Sequence, residues 1–395
     1  MSHPAASPRL RIAVLNRIFK STGGGAERYS IALVEQLAQA HDIHVFAQHI
    51  EHTWPGVSYH RIAQPLQRPR WVNQLWFACA TWWATRRGFD VVHSHENTWH
   101  GLVQTVHVLP VKFNLFVGRH GWRWALRCLK VAFSPRLLVY LALEAARYAP
   151  APGKSVVVTS NSLSDKLLQA YPRIRAQTKV ITPGVNKVPG MASEAVRMAA
   201  RQALGLPAQG KCLLLIGNDY QKKGLPAALR ALAALPQEFY LAVVGNAQHI
   251  PTFAPLVDNL GIADRVFFLG AFADVTPAYQ AANALLHPTL EDTFAMVVLE
   301  AMAHGLPVTV SGVKYCGITE LLTDGVNAMV LEDPQDNDSL AAGVRTLFSD
   351  AQRYGAISAA AVAFAKTYLW SHIAQQQQVL YGVAAANRQN HGMHP

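Results

Sequence analysis

His287-Pro-Thr-Leu-Glu-Asp-Thr-Phe-Ala-Met-Val-Val-Leu-Glu-Ala-Met-Ala-His-Gly-Leu-Pro-Val308 passes from the end of an apolar run, through a polar loop, into a segment of helical composition. Gly305 closes that segment and Pro307 lies just beyond, the usual stop signals of a helix. Strand, loop and apolar helix in that order form the repeating unit of a parallel α/β sheet. Glu291 and Asp292 fall in the loop, whereas Glu300 is set among Met296, Val297, Val298, Leu299, Ala301, Met302 and Ala303, where a carboxylate needs a partner. Thr293, Phe294, Ala295 and Met296 are expected to open the helix with unpaired backbone N–H groups, a position that favours an anion such as a phosphate. Glu300, a turn and a half further in, suits a vicinal diol such as a ribose. A buried glutamate satisfied by backbone amides or an arginine fits the same residues.

The alternation extends in both directions. Residues 212–217, 239–245, 266–270 and 283–287 read as strands before the stretch, with helices at 193–204, 225–235 and 253–260, and residues 308–311 and 328–331 read as strands after it. In the first half, strands are expected at 10–16, 43–47, 57–62, 90–95, 102–107, 155–160 and 179–182. The fold class is therefore α/β, with two doubly wound, Rossmann-like parallel-sheet domains, 1–188 and 189–365, and a closing segment 366–395. The site is expected in the cleft between the domains.

Ser21-Thr-Gly-Gly-Gly-Ala-Glu-Arg28 joins the first strand to a helix over 29–40, and Gly24 and Gly25 permit close approach of backbone to a ligand. The spacing is not G-x-G-x-x-G and no acid is clearly placed for a dinucleotide ribose, which argues against NAD; a tight turn without a ligand is the plain alternative. His95 and His107 end strands, where α/β sheets bind ligands, although a strand-end histidine is also a common structural residue. Asn218-Asp-Tyr-Gln-Lys-Lys-Gly224 places Lys222 and Lys223 after another strand, either as a phosphate-neutralising pair or as a solvated one.

The chain has 395 residues, 51% hydrophobic and 15% charged, a globular composition. No stretch of 18 uncharged apolar residues suggests a spanning helix, and the opening Met-Ser-His-Pro-Ala-Ala-Ser-Pro lacks the basic head and apolar core of a signal peptide. The expected location is cytoplasmic. Cys79, Cys128, Cys212 and Cys316 lack paired metal spacing and are expected as reduced core thiols, with no bound metal. Residues 1–188 carry 23 Lys+Arg against 8 Asp+Glu, the remainder 12 against 16, and eight of the nine tryptophans lie in the first half. Residues 108–150 interleave Arg, Lys and Trp with Leu and Val at helical spacing, as do Arg68-Pro-Arg-Trp71 and Trp82-Trp-Ala-Thr-Arg-Arg87. Two readings fit: a face for an anionic membrane surface, or ordinary helix packing with a solvated basic side.

Taken in order, these motifs closely resemble the family-4 glycosyltransferases of the GT-B fold over nearly the whole chain. The resemblance is carried by Gly24-Gly25-Ala26-Glu27-Arg28, Gln104-Thr-Val-His107, Pro183-Gly-Val-Asn186, Lys223-Gly224, Gly317-Ile-Thr-Glu-Leu-Leu-Thr-Asp-Gly-Val-Asn327, and Tyr368-Leu-Trp-Ser-His-Ile-Ala-Gln375 through Tyr381. The family's two glutamates separated by seven residues fall on Asp292 and Glu300; its glycines fall on Thr293 and Ala295, and its common arginine on Asn218. The resemblance implies retaining transfer from a nucleotide diphosphate sugar, with a UDP-sugar favoured and no other cofactor. Lys223, helped by Lys222, the amides of 293–296 and the Gly25 loop would hold the diphosphate. Asp292, or Glu291 beside it, would meet the donor sugar, Glu300 the ribose, and His107 the sugar from the first domain. It further implies closure on donor binding, return of the last helix to the first domain, and an acceptor in that domain. That acceptor would be a cell-envelope glycan or glycolipid of lipopolysaccharide type, met by a peripheral protein on the inner face of the cytoplasmic membrane. A polyanion or nucleic-acid binder is disfavoured by the acidic second half, leaving no nucleic acid among the expected partners. The departures at Asn218, Asp292 and Ala295 keep a catalytically silent, glycan-binding relative as the alternative.

Overall fold

The computed structural model describes residues 9–391 apart from residue 22. The opening octapeptide, on which the signal-peptide reading rests, lies outside the described residues, as does the threonine of the glycine-rich turn. The chain divides into two compact units, Met1–Thr182 with Trp370–Pro395, and Pro183–Leu369.

The first unit holds a seven-stranded parallel sheet in the order Val57–Arg61, Asp42–Ala47, Arg11–Leu15, Val91–Ser94, Val103–Val106, Ser155–Val158, Thr178–Val180. Val91–Ser94 and Val103–Val106 are buried at every position, as strands covered on both faces must be. The winding reverses between Arg11–Leu15 and Val91–Ser94. Trp370–His391 returns to this unit, with Trp370 edge-on to Tyr29 at 5.1 Å and the Tyr381 hydroxyl 2.6 Å from His93 Nδ1. Two-residue strands, Ile18–Phe19 and His49–Ile50, form a separate parallel pair that is too short to leave a periodic signal.

The second unit holds a six-stranded parallel sheet in the order Val266–Gly270, Phe239–Val244, Lys211–Ile216, Ala284–His287, Val308–Ser311, Met329–Leu331. Its central strand feeds two cores by simple alternation: Cys212, Leu214 and Ile216 enter one, Leu213 and Leu215 the other. Truncating Leu214, fully buried, to alanine removes about 2–5 kcal/mol of stability by opening a cavity. The winding reverses between Lys211–Ile216 and Ala284–His287, and in such sheets the crevice beyond the carboxyl ends of the two strands is the ligand position. Residues 217–224 and 288–295 follow those two strands.

Two expectations need correction. Cys212 and Cys316 are buried, but Cys79 is exposed and Cys128 half-buried, because helices Arg70–Thr85 and Gly121–Ala132 turn those positions away from the core. The helix after Asp292 spans Met296–Ala303, beginning later than position 293, since Ala295 adopts a left-handed conformation with φ of 73°.

Candidate active site

Backbone contacts first bring the two switch-point loops of the second unit together. The Lys222 carbonyl accepts from Leu290 N at 2.8 Å and from Thr289 Oγ1 at 3.0 Å. Gly224 has φ of 78°, and a Cβ there would overlap the Pro288 carbonyl, so only glycine allows this close pass. Gly217 likewise leaves room for the stem of Lys223. The pair Lys223-Gly224 thus works as one device, the glycine permitting the approach and the lysine exploiting it.

Lys223 Nζ donates to Asp292 Oδ2 at 2.5 Å, with the two side chains 22% and 15% exposed. His287 Nε2 lies 3.2 Å from the same oxygen. Burial moves the His287 imidazole below its ordinary pKa, against the pull of Asp292. The neutral ring therefore carries its proton on Nε2 and donates it, since a carboxylate only accepts. Burial alone would raise the Asp292 carboxyl, but the His287 hydrogen bond and the Lys223 charge hold it well below the usual carboxylate range. Asp292 is an anion at every physiological pH.

The other Asp292 oxygen, Oδ1, accepts from Phe294 N at 3.3 Å and Ala295 N at 2.9 Å. Two of the four amides expected to be unpaired are thus taken by the side chain just before them. Aspartate is short enough to cap backbone N–H groups two and three residues ahead, which is why the helix start is not open. The Phe294 and Ala295 side chains are buried, so these residues face the site only through backbone; Thr293 and Met296 are half-buried.

Glu300 is half-exposed rather than buried. Met296, Val297, Glu300 and His304 recur at helical spacing on the less covered side, while Val298, Leu299, Ala301, Met302 and Ala303 are buried. The Tyr279 hydroxyl donates to the carboxylate at 2.7 Å. Tyr279 stacks on His304 at 4.9 Å, and His304 Nδ1 donates to the Glu300 carbonyl at 2.9 Å. Lys222 and Glu291 form an exposed 3.4 Å pair to one side, and Asn218 is exposed.

In the first unit, Gly24 is the N-cap of helix Gly25–Leu37, and Tyr29 of that helix packs edge-on to His107 at 5.1 Å. Tyr29 thereby ties the helix that follows the glycine-rich turn to His107. His95 Nδ1 and His107 Nε2 are 2.9 Å apart in stacked rings, and His93 sits behind, bonded through Nε2 to Thr105 Oγ1 at 2.7 Å. Burial, reinforced by the Arg147 charge, lowers His107 to about 3, and burial with His107 and Arg147 does the same for His93. The cluster is neutral near pH 7.

A family model described as Glycosyltransferase Family 4 matches residues 23–187, and one described as Glycosyl transferases group 1 matches residues 210–350, together covering both sheets apart from the strand Arg11–Leu15. The chain is a family-4 glycosyltransferase of the GT-B fold. The glycosyltransferase is 29% identical over 215 residues to the lipopolysaccharide glucosyltransferase WaaG of Escherichia coli, an alignment covering 51% of this chain and 54% of that relative. It is 28% identical over 337 residues to the D-inositol 3-phosphate glycosyltransferase of Mycolicibacterium vanbaalenii, covering 76% of this chain and 68% of the relative. Among solved structures, WaaG superposes with a TM-score of 0.79 at 21% identity, over 93% of this chain and 98% of that one. Anabaena HepE, solved with UDP and glucose, superposes with a TM-score of 0.73 at 22% identity, over 94% and 99%.

Several residues of the two candidate clusters, one in each unit, carry little signal of their own in the sequence. His287 and Tyr279 reach Asp292 and Glu300 from separate elements, and Tyr29, His93 and Tyr381 surround His95 and His107. The strand-end position of His287 was the one available signal, since it resembles that of His95 and His107.

Proposed function

We propose that this glycosyltransferase moves a sugar from a uridine diphosphate sugar to a hydroxyl of a cell-envelope glycan or glycolipid, with retention at the anomeric carbon. The observation that carries the proposal is the placement of Lys223, Asp292 and the Phe294 and Ala295 amides at the switch point of the second sheet, with the Glu300–Tyr279 pair further along the same helix. Lys223 and the amides are donors suited to a departing diphosphate, whose charge grows as the glycosidic bond breaks. Glu300, half-exposed and oriented by Tyr279, suits the ribose diol, and Asp292 suits the sugar hydroxyls. His107, neutral, offers a hydrogen bond to a substrate hydroxyl from the carboxyl end of its strand. In the retaining step, the bond from anomeric carbon to phosphate oxygen breaks as the acceptor oxygen bonds on the same face. The leaving phosphate takes the acceptor's proton. HepE's complexes with UDP and UDP-glucose support uridine as the base.

The acceptor side is read from the first unit. Helix Gly121–Ala132 buries only Val131, while Trp122, Leu126, Leu129 and the following Phe133 line one exposed face, with Trp122 at 69% and Phe133 at 81% exposure. Arg123, Arg127 and Lys130 fall on the adjoining face. An apolar strip flanked by cations favours an anionic bilayer surface over a merely solvated helix, and a lipid-linked acceptor would be met there. No helix among the described residues is long and apolar enough to cross a membrane.

The test is a thermal-shift screen of the full chain against UDP-, GDP- and ADP-sugars, followed by nucleotide release with the ligand that stabilises it. UDP-sugars are expected to raise the midpoint and to be turned over. A chain that binds but turns over none supports the silent, glycan-binding alternative.

A further inference from the structure

The Asp292 carboxylate is surrounded as a bound anion would be. Oδ2 accepts from Lys223 Nζ at 2.5 Å and His287 Nε2 at 3.2 Å, and Oδ1 from Phe294 N at 3.3 Å and Ala295 N at 2.9 Å. Four donors meet the roughly four lone-pair directions a carboxylate offers. Lys223 and the two amides are also the donors best placed to receive phosphate oxygens. They cannot serve both anions with the same N–H groups.

The local backbone is shaped around this arrangement. Ala295, with φ of 73°, is the one non-glycine residue with positive φ among those described. Such a conformation costs a residue with a Cβ about 1–2 kcal/mol. The Ala295 N–H bond to Asp292 contributes to holding it, together with Val298 N donating to the Ala295 carbonyl at 3.0 Å and Ile318 N to the Phe294 carbonyl at 2.9 Å. An aspartate reaches these amides because one methylene separates its carboxylate from the backbone. A glutamate at 292 would carry its charge past them.

We infer that Asp292 is an internal counter-anion of the phosphate-binding set, and that a nucleoside diphosphate binds by exchanging with its carboxylate at Lys223 and the two amides. The inference rests on reading that set as the diphosphate site. The exchange does two things at once. It transfers Lys223 and the amides to the diphosphate, and it frees the Asp292 carboxylate to accept from hydroxyls of the attached sugar. Asp292 thereby makes binding of bare nucleotide weaker than the cradle would otherwise allow, and favours ligands whose sugar gives the displaced carboxylate new donors.

Calorimetric titration of the full chain with UDP tests this, using wild type, Asp292→Asn, Asp292→Ser and Lys223→Ala. Asparagine and serine both keep an oxygen that can cap the amides while removing the charge. Both are expected to bind UDP more tightly than wild type, on the order of tenfold, whereas Lys223→Ala binds it more weakly. Equal or weaker UDP binding by both Asp292 variants, with Lys223→Ala still weakened, overturns the exchange and leaves the site reading intact. Unchanged binding by Lys223→Ala, or no binding of UDP, GDP or ADP by wild type, removes the site reading itself. Should neither Asp292 variant fold, a crystal structure of wild type with UDP decides. Lys223 Nζ on a phosphate oxygen and away from Asp292 supports the exchange, and an intact Lys223–Asp292 contact beside bound UDP overturns it.

Discussion

The Tyr279 hydroxyl donates to Glu300 Oε2 at 2.7 Å, and Tyr279, itself buried, is clamped by the His304 ring on its face. A half-exposed carboxylate thus has a buried, ring-stacked hydroxyl donor to orient it. Tyr279→Phe keeps the packing and removes the hydroxyl. A hydrogen bond to a charged group contributes about 1.5–3 kcal/mol, so UDP affinity is expected to fall on the order of tenfold, with a thermal midpoint lower by a few degrees at most. Unaltered affinity by calorimetry would show that Glu300 needs no such orientation, or is not a nucleotide ligand.

Lys223 and Lys222 are adjacent in sequence but unequal in place. Lys223→Met is expected to lower initial rates of nucleotide release by about 10²–10³ fold, the range for loss of one donor to developing charge. The Lys222 side chain forms an exposed 3.4 Å pair with Glu291, and its backbone contacts survive truncation, so Lys222→Ala is expected to stay within about twofold. Equal losses in both variants would contradict this division.

Glycine is required at 224 and absent where the backbone would welcome it at 295. Gly224→Ala drives a Cβ into the Pro288 carbonyl at a positive φ, and a loss of about 2–4 kcal/mol is expected in urea unfolding. Ala295→Gly relieves a left-handed alanine and is expected to add about 0.5–1 kcal/mol. A destabilised Ala295→Gly would mean that the contacts of its methyl group outweigh the backbone term.

Acid should loosen the first unit before it discharges Asp292. His93, His100 and His107 are lowered to about 3, chiefly by burial, so the unfolded chain binds their protons more readily than the folded one. Their contribution is complete above the unfolded value of about 6.5 and is lost as pH falls from there toward about 3. The thermal midpoint is therefore expected to drop steadily between pH 7 and pH 4.5, and His93→Gln to flatten that slope. A midpoint independent of pH over this range would contradict the assigned burial of the cluster.

The strands were legible because their signal is local. Continuous apolar runs such as Cys212-Leu-Leu-Leu-Ile216, closed by glycine and followed by helical spacing, carry their own periodicity, and the thirteen strands of the two large sheets lie at or within two residues of their expected ends. The short pair Ile18–Phe19 and His49–Ile50 was illegible for the complementary reason, since two residues hold no period. Lys223 and His107 stood out as candidates by their places after strands, Glu300 by its apolar neighbours, and Asp292 chiefly by the family resemblance.

Their partners could not be. Glu300 looked buried because its sequence neighbours are apolar, yet a helix separates neighbours by about 100° and places Glu300 with Met296 and His304 on the less covered side. Sequence alone determined that two parallel sheets form, and which loops stand at their carboxyl ends. Tertiary structure alone decided that Asp292 turns its carboxylate onto Lys223, His287 and the following amides, while Glu291 faces solvent. The reason is range: periodicity and turn chemistry act over a few residues, whereas these hydrogen bonds join side chains up to 69 positions apart, brought together by the adjacency of two strands in the sheet.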